Sequence, residues 1–378
     1  MQKPLTLLSL ICLLQVVVAC AAQEPAWNPT PEQIASAKQL AADLGVVLKE
    51  DGSGNVVVLN TAAKRSWVDD YQMQEMLAFP HLQSLTVEGP SISDQLVPQI
   101  SRQTSLTSLA MRNTLIGDEG ISQLVKLKSL KIIDLRLSPL VTDKTAKTLA
   151  CMSSLRAVRI SGINITDAGL KQLLLLPQLT ELDVRNCRDV SKTGIGALAK
   201  KKSLRVLKIG GDRINDSVLG VVAQMNQLSG LSLDNCDISD EGVVQLKSLS
   251  LIDLTIYQSA KVTDKGLAVL AAFNDLEKLT LRDMPATCAA LAQLPHPEKL
   301  RTLNLAQSAL TDKQVVVLKI MTGLERLILN ETALTDEAIK ILSRLSSLKY
   351  LEMTQTQMSH EGVMRLKKAM PNCTIRST

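Results

Sequence analysis

A hexad with alternating apolar positions returns along the chain about every 24 residues. It reads LQSLTV at 82–87, LTSLAM at 106–111, LKIIDL at 130–135, LRAVRI at 155–160, LTELDV at 179–184 and LRVLKI at 204–209. It continues as LSGLSL at 228–233, LIDLTI at 251–256, LEKLTL at 276–281, LRTLNL at 300–305, LERLIL at 324–329 and LKYLEM at 348–353. The alternation predicts a strand whose fourth and sixth positions are buried and whose third, fifth and seventh positions point outward. A small residue tends to follow at the ninth position: Thr114, Ser138, Cys187, Cys236, Ser308, Thr332 and Thr356. Next comes a helix start, as in ITDAGL at 165–170, ISDEGV at 238–243, VTDKGL at 262–267 and LTDEAI at 334–339. Ser, Thr and Asp there suit the free N–H groups of a first helical turn. About eight to ten helical residues are expected to follow, as in GLKQLLLL at 169–176.

A fixed period of this size predicts a solenoid, in which each unit buries its apolar face only by stacking on its neighbours. Paired strands sit about 4.8 Å apart while packed helices need about 8–10 Å, so the stack has to curve. The expected fold is an α/β horseshoe: one parallel sheet of about thirteen strands on the concave face and helices on the convex face. At the ends, PEQIASAKQLAADLG at 31–45 predicts a helix, VVLKEDGSGNVVVLN at 46–60 a hairpin and WVDDYQMQEMLAF at 67–79 a further helix. Two repeats are degenerate. DVSKTGIGAL at 189–198 lacks the Asp of the helix start, and MPATCAAL at 284–291 loses most of that pattern.

The first residues are of another kind. Leu5 to Val18 is apolar apart from Thr6, Ser9 and Gln15, and Ala19, Cys20, Ala21 and Ala22 follow. This is the layout of a signal peptide and is short for a membrane span. Val17-Val18-Ala19-Cys20 resembles a bacterial lipobox, which makes Cys20 a lipidation candidate, while Ala19-Cys20-Ala21 and Cys20-Ala21-Ala22 fit ordinary cleavage. The expected organisation is a signal peptide at 1–19, a tether at 20–32, and a helix, hairpin and capping repeat at 33–80. Twelve repeats at 81–371 and an edge cap at 372–378 complete it. The expected location is the periplasm or cell envelope, lipid-anchored or secreted.

The hexad, the small ninth residue and the [ITV]-[TS]-D-x-G-[LIV] helix start together resemble the leucine-rich repeat family, in its ribonuclease-inhibitor-like branch. Cys at position nine resembles the cysteine-containing subclass. The helix starts and endings such as LKKAMPNCTI at 366–375 are similar to exported bacterial members. The resemblance covers about residues 55–375. It implies recognition of a protein or ligand on the concave sheet and carries over no catalytic residue set. A substrate receptor of a ubiquitin-ligase type is the rival reading, and residues 1–54 offer an export signal in place of the F-box-like helices it needs.

Composition adds little that competes. Apolar residues make up 46% of the chain and aromatics 2%, and the net charge of +5 does not argue for nucleic acid. His81, His296 and His360 fall in different repeats, and His360-Glu361 lacks the second His of a zinc-protease motif. No CxxC or paired His–Cys spacing occurs, so no metal and no cofactor is expected. Cys187 and Cys236 stand two repeats apart, roughly 10 Å by strand spacing. A disulfide needs Cα atoms within about 7 Å, so both read as buried free thiols. The run Lys200-Lys201-Lys202 reads as a solvated turn.

The informative surface is the outward row of each strand. Position five reads Asp134, Arg159, Asp183 and Lys208 in successive repeats, an alternating charge ladder. Position seven reads Glu88, Arg112, Arg136, Ser161 and Arg185, where Arg112 and Arg136 adjoin as like charges. Glu181 on row three trims the positive excess, and Tyr257 and Arg282 extend the face. Either these groups only keep an exposed sheet soluble, or they form a docking patch for an acidic segment or anionic glycan. Arg suits carboxylates by its bidentate geometry. As outward surface groups, Arg136 and Arg185 are expected to tolerate reversal to Glu without loss of folding.

Overall fold

The computed structural model describes residues 28–377. The leader, Cys20 and most of the expected tether lie outside the described residues. The rest falls into two compact units, 28–155 with 175–177 and 156–174 with 178–377.

In the first unit, the helix Pro31–Asp43 precedes β1 (Val47–Glu50) and β2 (Val56–Asn60), an antiparallel pair. Strands β3 (Ser84–Glu88), β4 (Ser108–Arg112) and β5 (Ile132–Asp134) then add in parallel. The second unit stacks β6 (Ala157–Arg159), β7 (Glu181–Asp183), β8 (Val206–Asn215), β9 (Gly230–Asp237) and β10 (Asp253–Tyr257). It goes on with β11 (Lys278–Arg282), β12 (Thr302–Asn304), β13 (Arg326–Ile328), β14 (Tyr350–Glu352) and β15 (Thr374–Arg376). Within each unit the strand order is the sequence order. The expected number of strands omitted two: β1, the first arm of the hairpin, and β15, the edge cap.

Register follows the hexad. Leu254 pairs with Leu231 on one side and Leu279 on the other. The fourth and sixth positions are closed to solvent, as in Leu182 and Val184, or Leu303 and Leu305. The eighth position of each repeat takes a positive φ, which turns the chain toward the helix. Asn and Gln fill many of these positions, including Asn113, Asn186, Asn235, Gln258 and Gln307. Leu137 is the odd one: it is 60% exposed and holds φ 62°.

The helices are shorter than the sequence pattern suggests. Typical α-helical pieces are Asp118–Gln123, Asp167–Leu173 and Lys192–Leu198. Gly266–Ala272, Ala289–Gln293 and Val315–Ile320 are 3-10 turns, which rise about 2.0 Å per residue and cross a repeat with fewer residues. DVSKTGIGAL still forms its helix, because Ser191 caps it without the Asp by accepting from Thr193 N.

The Asp of the helix start does not serve its own helix. Thr166 and Ser191 cap theirs by accepting from the second backbone N–H of the turn. The Asp reaches forward to the capping residue one repeat on. Asp167 accepts from Ser191 N at 2.8 Å and Ser191 Oγ at 2.6 Å. Asp118 does the same with Thr142 at 3.0 and 2.6 Å, Asp216 with Ser239 at 2.8 and 2.6 Å, and Asp336 with Ser359 at 2.9 and 2.7 Å. A charged hydrogen bond therefore ties each such repeat to the next. Burial raises the pKa of Asp118, but its bonds from Thr142 and Thr145 outweigh this and hold it below the usual value.

This explains the glycine of the motif. A Cβ on Gly194 would lie 2.9 Å from Cγ of Asp167, and one on Gly242 2.6 Å from Cγ of Asp216. Where the preceding Asp is replaced, a larger residue fills the place: Val218 follows Lys192, and Gln314 follows Cys288. Leu96, after Asp70, departs from this pairing; its repeat begins with a 3-10 turn, Asp94–Leu96. The degenerate repeat MPATCAAL leaves a mark as well. Asp264 bonds Thr287, but its Oδ1 is buried without a partner.

Candidate functional site

The outward positions of the strands hold the candidate groups, each unit carrying its own set. In the first unit, Asp134 on β5 is 1% exposed, although row five was expected to face solvent. Two guanidinium groups cover it. Arg112 Nε donates to its Oδ2 at 2.8 Å, while Arg136 donates through Nε to Oδ1 at 2.9 Å and through Nη2 to Oδ2 at 2.8 Å. Arg112 and Arg136 are thus not the uncompensated pair that the row order suggests. Burial raises the Asp134 pKa, but Arg136 and Arg112 more than offset this and hold the carboxyl below its usual range.

The second unit repeats the clamp. Asp183 on β7 is 1% exposed, and Arg185 donates to it through Nε at 2.9 Å and Nη2 at 2.8 Å. The third nitrogen, Nη1, donates to Asp234 Oδ2 on β9 at 2.9 Å. The Asp183 hydrogen bond outweighs burial and raises the pKa of Arg185. Arg159 and Lys208 both turn to Glu181, at 2.9 and 3.2 Å, rather than to their row-five neighbour Asp183. Arg159 and Lys208 are therefore joined through Glu181 diagonally, across rows five and three. Asp134-x-Arg136 and Asp183-x-Arg185 share one spacing, and that D-x-R pattern is the signal the row reading missed. Because Arg136 and Arg185 cover buried carboxylates, their reversal to Glu is not a neutral surface change.

Farther along, Arg282 lies over the Tyr257 ring, 5.0 Å from its centroid, and donates to Gln307 Oε1 at 2.9 Å. Arg326 repeats this over Tyr350 at 3.9 Å, groups the row reading did not single out. The middle lysine of the basic run is not simply solvated: Lys201 Nζ donates to Leu174 O at 3.1 Å, at the end of the helix Asp167–Leu173.

The five cysteines among the described residues are free. Cys187 and Cys236 are buried, and their Sγ atoms approach the carbonyl oxygens of Ile160 and Ile209 at 3.2 and 4.0 Å. Ser138 at the same register position donates to Met111 O at 3.2 Å, which explains why Ser and Cys exchange there. Burial pushes the thiol of Cys187 up to about 11 and that of Cys236 to about 12. A thiol reagent under native conditions will therefore label exposed Cys151 quickly, and Cys187, Cys236 and Cys288 only upon unfolding. Peptide mapping by mass spectrometry checks this, and fast native labelling of Cys187 contradicts it.

Comparison with known proteins agrees with this geometry. The family model described as Leucine Rich repeat matches residues 102–125, the segment that spans β4 and the helix after it. No curated protein matches the sequence significantly. Among solved structures, the Rad7 and Elc1 complex in yeast is similar with a TM-score of 0.67 at 20% identity, covering 91% of this chain and 92% of that one. An internalin (inlF) from Listeria monocytogenes str. 4b F2365 is similar with a TM-score of 0.50 at 21% identity, covering 93% and 98%. At such identities the likeness speaks for the fold alone. With the repeated hexad, the in-register parallel strands and the matched repeat, this chain is an α/β leucine-rich repeat solenoid.

Proposed function

We propose that this chain is an exported, non-catalytic scaffold that binds a protein partner on the exposed face of its strands. The observation that carries the reading is the network of paired charged and aromatic side chains on successive outward positions of the second unit. It runs from Arg159, Glu181, Lys208 and Arg185 to Tyr257 and Arg282. Side chains already fixed by one another lose little rotamer freedom when a partner docks. Tyr and Arg are also the residue types that dominate binding energy at interfaces. A free anion or anionic glycan fits less well, because the arginines of this face already hold carboxylates. A protein surface offering both donors and acceptors suits them better.

The mapping experiment uses a partner captured from envelope extract with the mature chain. Tyr257→Ala and Arg282→Ala should each weaken its binding by about tenfold or more. Lys171→Ala, on the helix Asp167–Leu173, should leave binding unchanged. Equal loss from the helix-side variant, or none from the strand-side pair, rejects the face. Export rests on Leu5–Val18 and the small residues behind it. Mass spectrometry of the chain from its native host should find a terminus at or just after Cys20, and a diacylglyceryl group on Cys20 would mark a lipoprotein. An intact Met1 would reject export.

A further inference from the structure

On the strand face of the second unit, β9, β10 and β11 hold a three-by-three field of outward residues in strict register. Gly230, Asp253 and Lys278 form one row, Ser232, Thr255 and Thr280 the next, and Asp234, Tyr257 and Arg282 the third. The middle row is low and polar. None of its three hydroxyls makes a hydrogen bond among the described residues, whereas Asp234 and Arg282 beside it are engaged. Gly230 has no side chain, and the Val206 side chain of β8 closes over its place, so Asp253 presents its carboxylate on the β10 side of that closed position.

Asp253 is the exception among the carboxylates of this face. Glu181, Asp183, Asp234 and Glu352 all accept hydrogen bonds or ion pairs from neighbouring side chains. Asp253 is half-buried and accepts none among the described residues. Lys278 and Lys208 bear on it only through their charges, and burial raises its pKa in spite of them. A partly desolvated carboxylate without a partner is costly to keep ionised, and a cation placed against it removes that cost. A neutral hydroxyl would not neutralise it.

We infer that Asp253 is the recognition point for a Lys or Arg side chain on an extended protein segment that crosses β9, β10 and β11 along the hydroxyl row. The inference rests on the protein-binding reading above and names the chemistry of the partner. Three strands span about 10 Å, which an extended chain covers in about three residues. Its backbone amides can meet the hydroxyls of Thr255 and Thr280, which are more open than that of Ser232. Its basic side chain meets the Asp253 carboxylate from the solvent side, and a neighbouring side chain rests against the Tyr257–Arg282 pair.

A random peptide library displayed on phage, selected against the folded chain, tests this. Enriched peptides should carry a Lys or Arg and bind Asp253→Asn at least tenfold more weakly. Asp253→Arg should abolish their binding and instead select peptides with Glu or Asp, while Lys171→Ala should bind as the parent chain does. Circular dichroism melting confirms that each variant is folded. Enriched peptides that lack a basic residue, ignore Asp253→Asn or fail to switch charge with Asp253→Arg overturn the inference. So does a selection that yields no binders. A captured partner that depends on Tyr257 and Arg282 but not on Asp253 sinks this assignment and leaves the scaffold reading standing. Neutral oligosaccharides bound in a manner sensitive to Asp253→Asn would assign the field to a glycan instead.

Discussion

Gly194→Ala will destabilise the fold by about 1–3 kcal/mol, the usual cost of overpacking. Helix propensity by itself points the other way, favouring Ala over Gly by about 1 kcal/mol within a helix such as Lys192–Leu198. The contact wins because the new methyl would lie 2.9 Å from Cγ of Asp167 and closer still to its Oδ1. Asp167→Ala will also destabilise, by about 1.5–3 kcal/mol, because it strips the N–H and hydroxyl of Ser191 of a charged acceptor. The double variant will cost less than the sum. With the carboxylate gone, the nearest of these contacts left to the methyl is Leu170 Cδ1 at 3.1 Å, the end of a flexible side chain. A coupling of at least about 1 kcal/mol is expected from urea unfolding of the four proteins. Strict additivity would refute the pairing of each Asp with the small residue one repeat later. Val218 after Lys192 and Gln314 after Cys288 are the same experiment written in the chain.

Removing both arginines that cover Asp134 will cost about 3–5 kcal/mol at pH 7, the penalty for leaving a buried charge uncompensated. Arg112→Met with Arg136→Met keeps the apolar stems and deletes the charge. The pH dependence should then change sign. In the parent chain the folded Asp134 pKa lies below its unfolded value of about 3.9. That contribution is therefore present above about pH 4 and is lost as pH falls through the folded pKa. In the double variant burial is opposed only weakly, by the retained backbone N–H of residue 136 at 3.3 Å from Oδ1, and raises the folded pKa above the unfolded one. The variant should recover part of its loss as pH falls from 7 toward 4, since the carboxyl then binds a proton more readily in the folded state. Urea midpoints at pH 7 and 4.5 decide this: a constant gap between the two proteins at both values would show that Asp134 does not depend on these guanidiniums.

The strands of the twelve repeats, their register and their buried apolar positions were legible in the hexad, because alternation along a strand is local and stacking repeats it. The free ninth-position thiols were legible from the repeat spacing, and the hairpin and N-terminal helix from their own local turn and apolar patterns. Helix length was not, since the choice between an α-helix and a 3-10 turn depends on the height each repeat has to cross.

What only the tertiary structure decided is which groups meet between repeats. Reading along rows assumes that each side chain faces its equal on the next strand. The Cα atoms do obey that register, but Arg and Lys are long enough to reach a diagonal neighbour. Arg112 on row seven bonds Asp134 on row five, and Arg159 and Lys208 on row five share Glu181 on row three. Burial of Asp134 and Asp183 and the forward reach of the helix-start Asp residues follow from such contacts. Each joins residues more than twenty positions apart or, as in Asp134 with Arg136, depends on how two neighbours fold over each other. The period determined the scaffold, and side-chain reach across the stack determined where charge is satisfied and where it is left available.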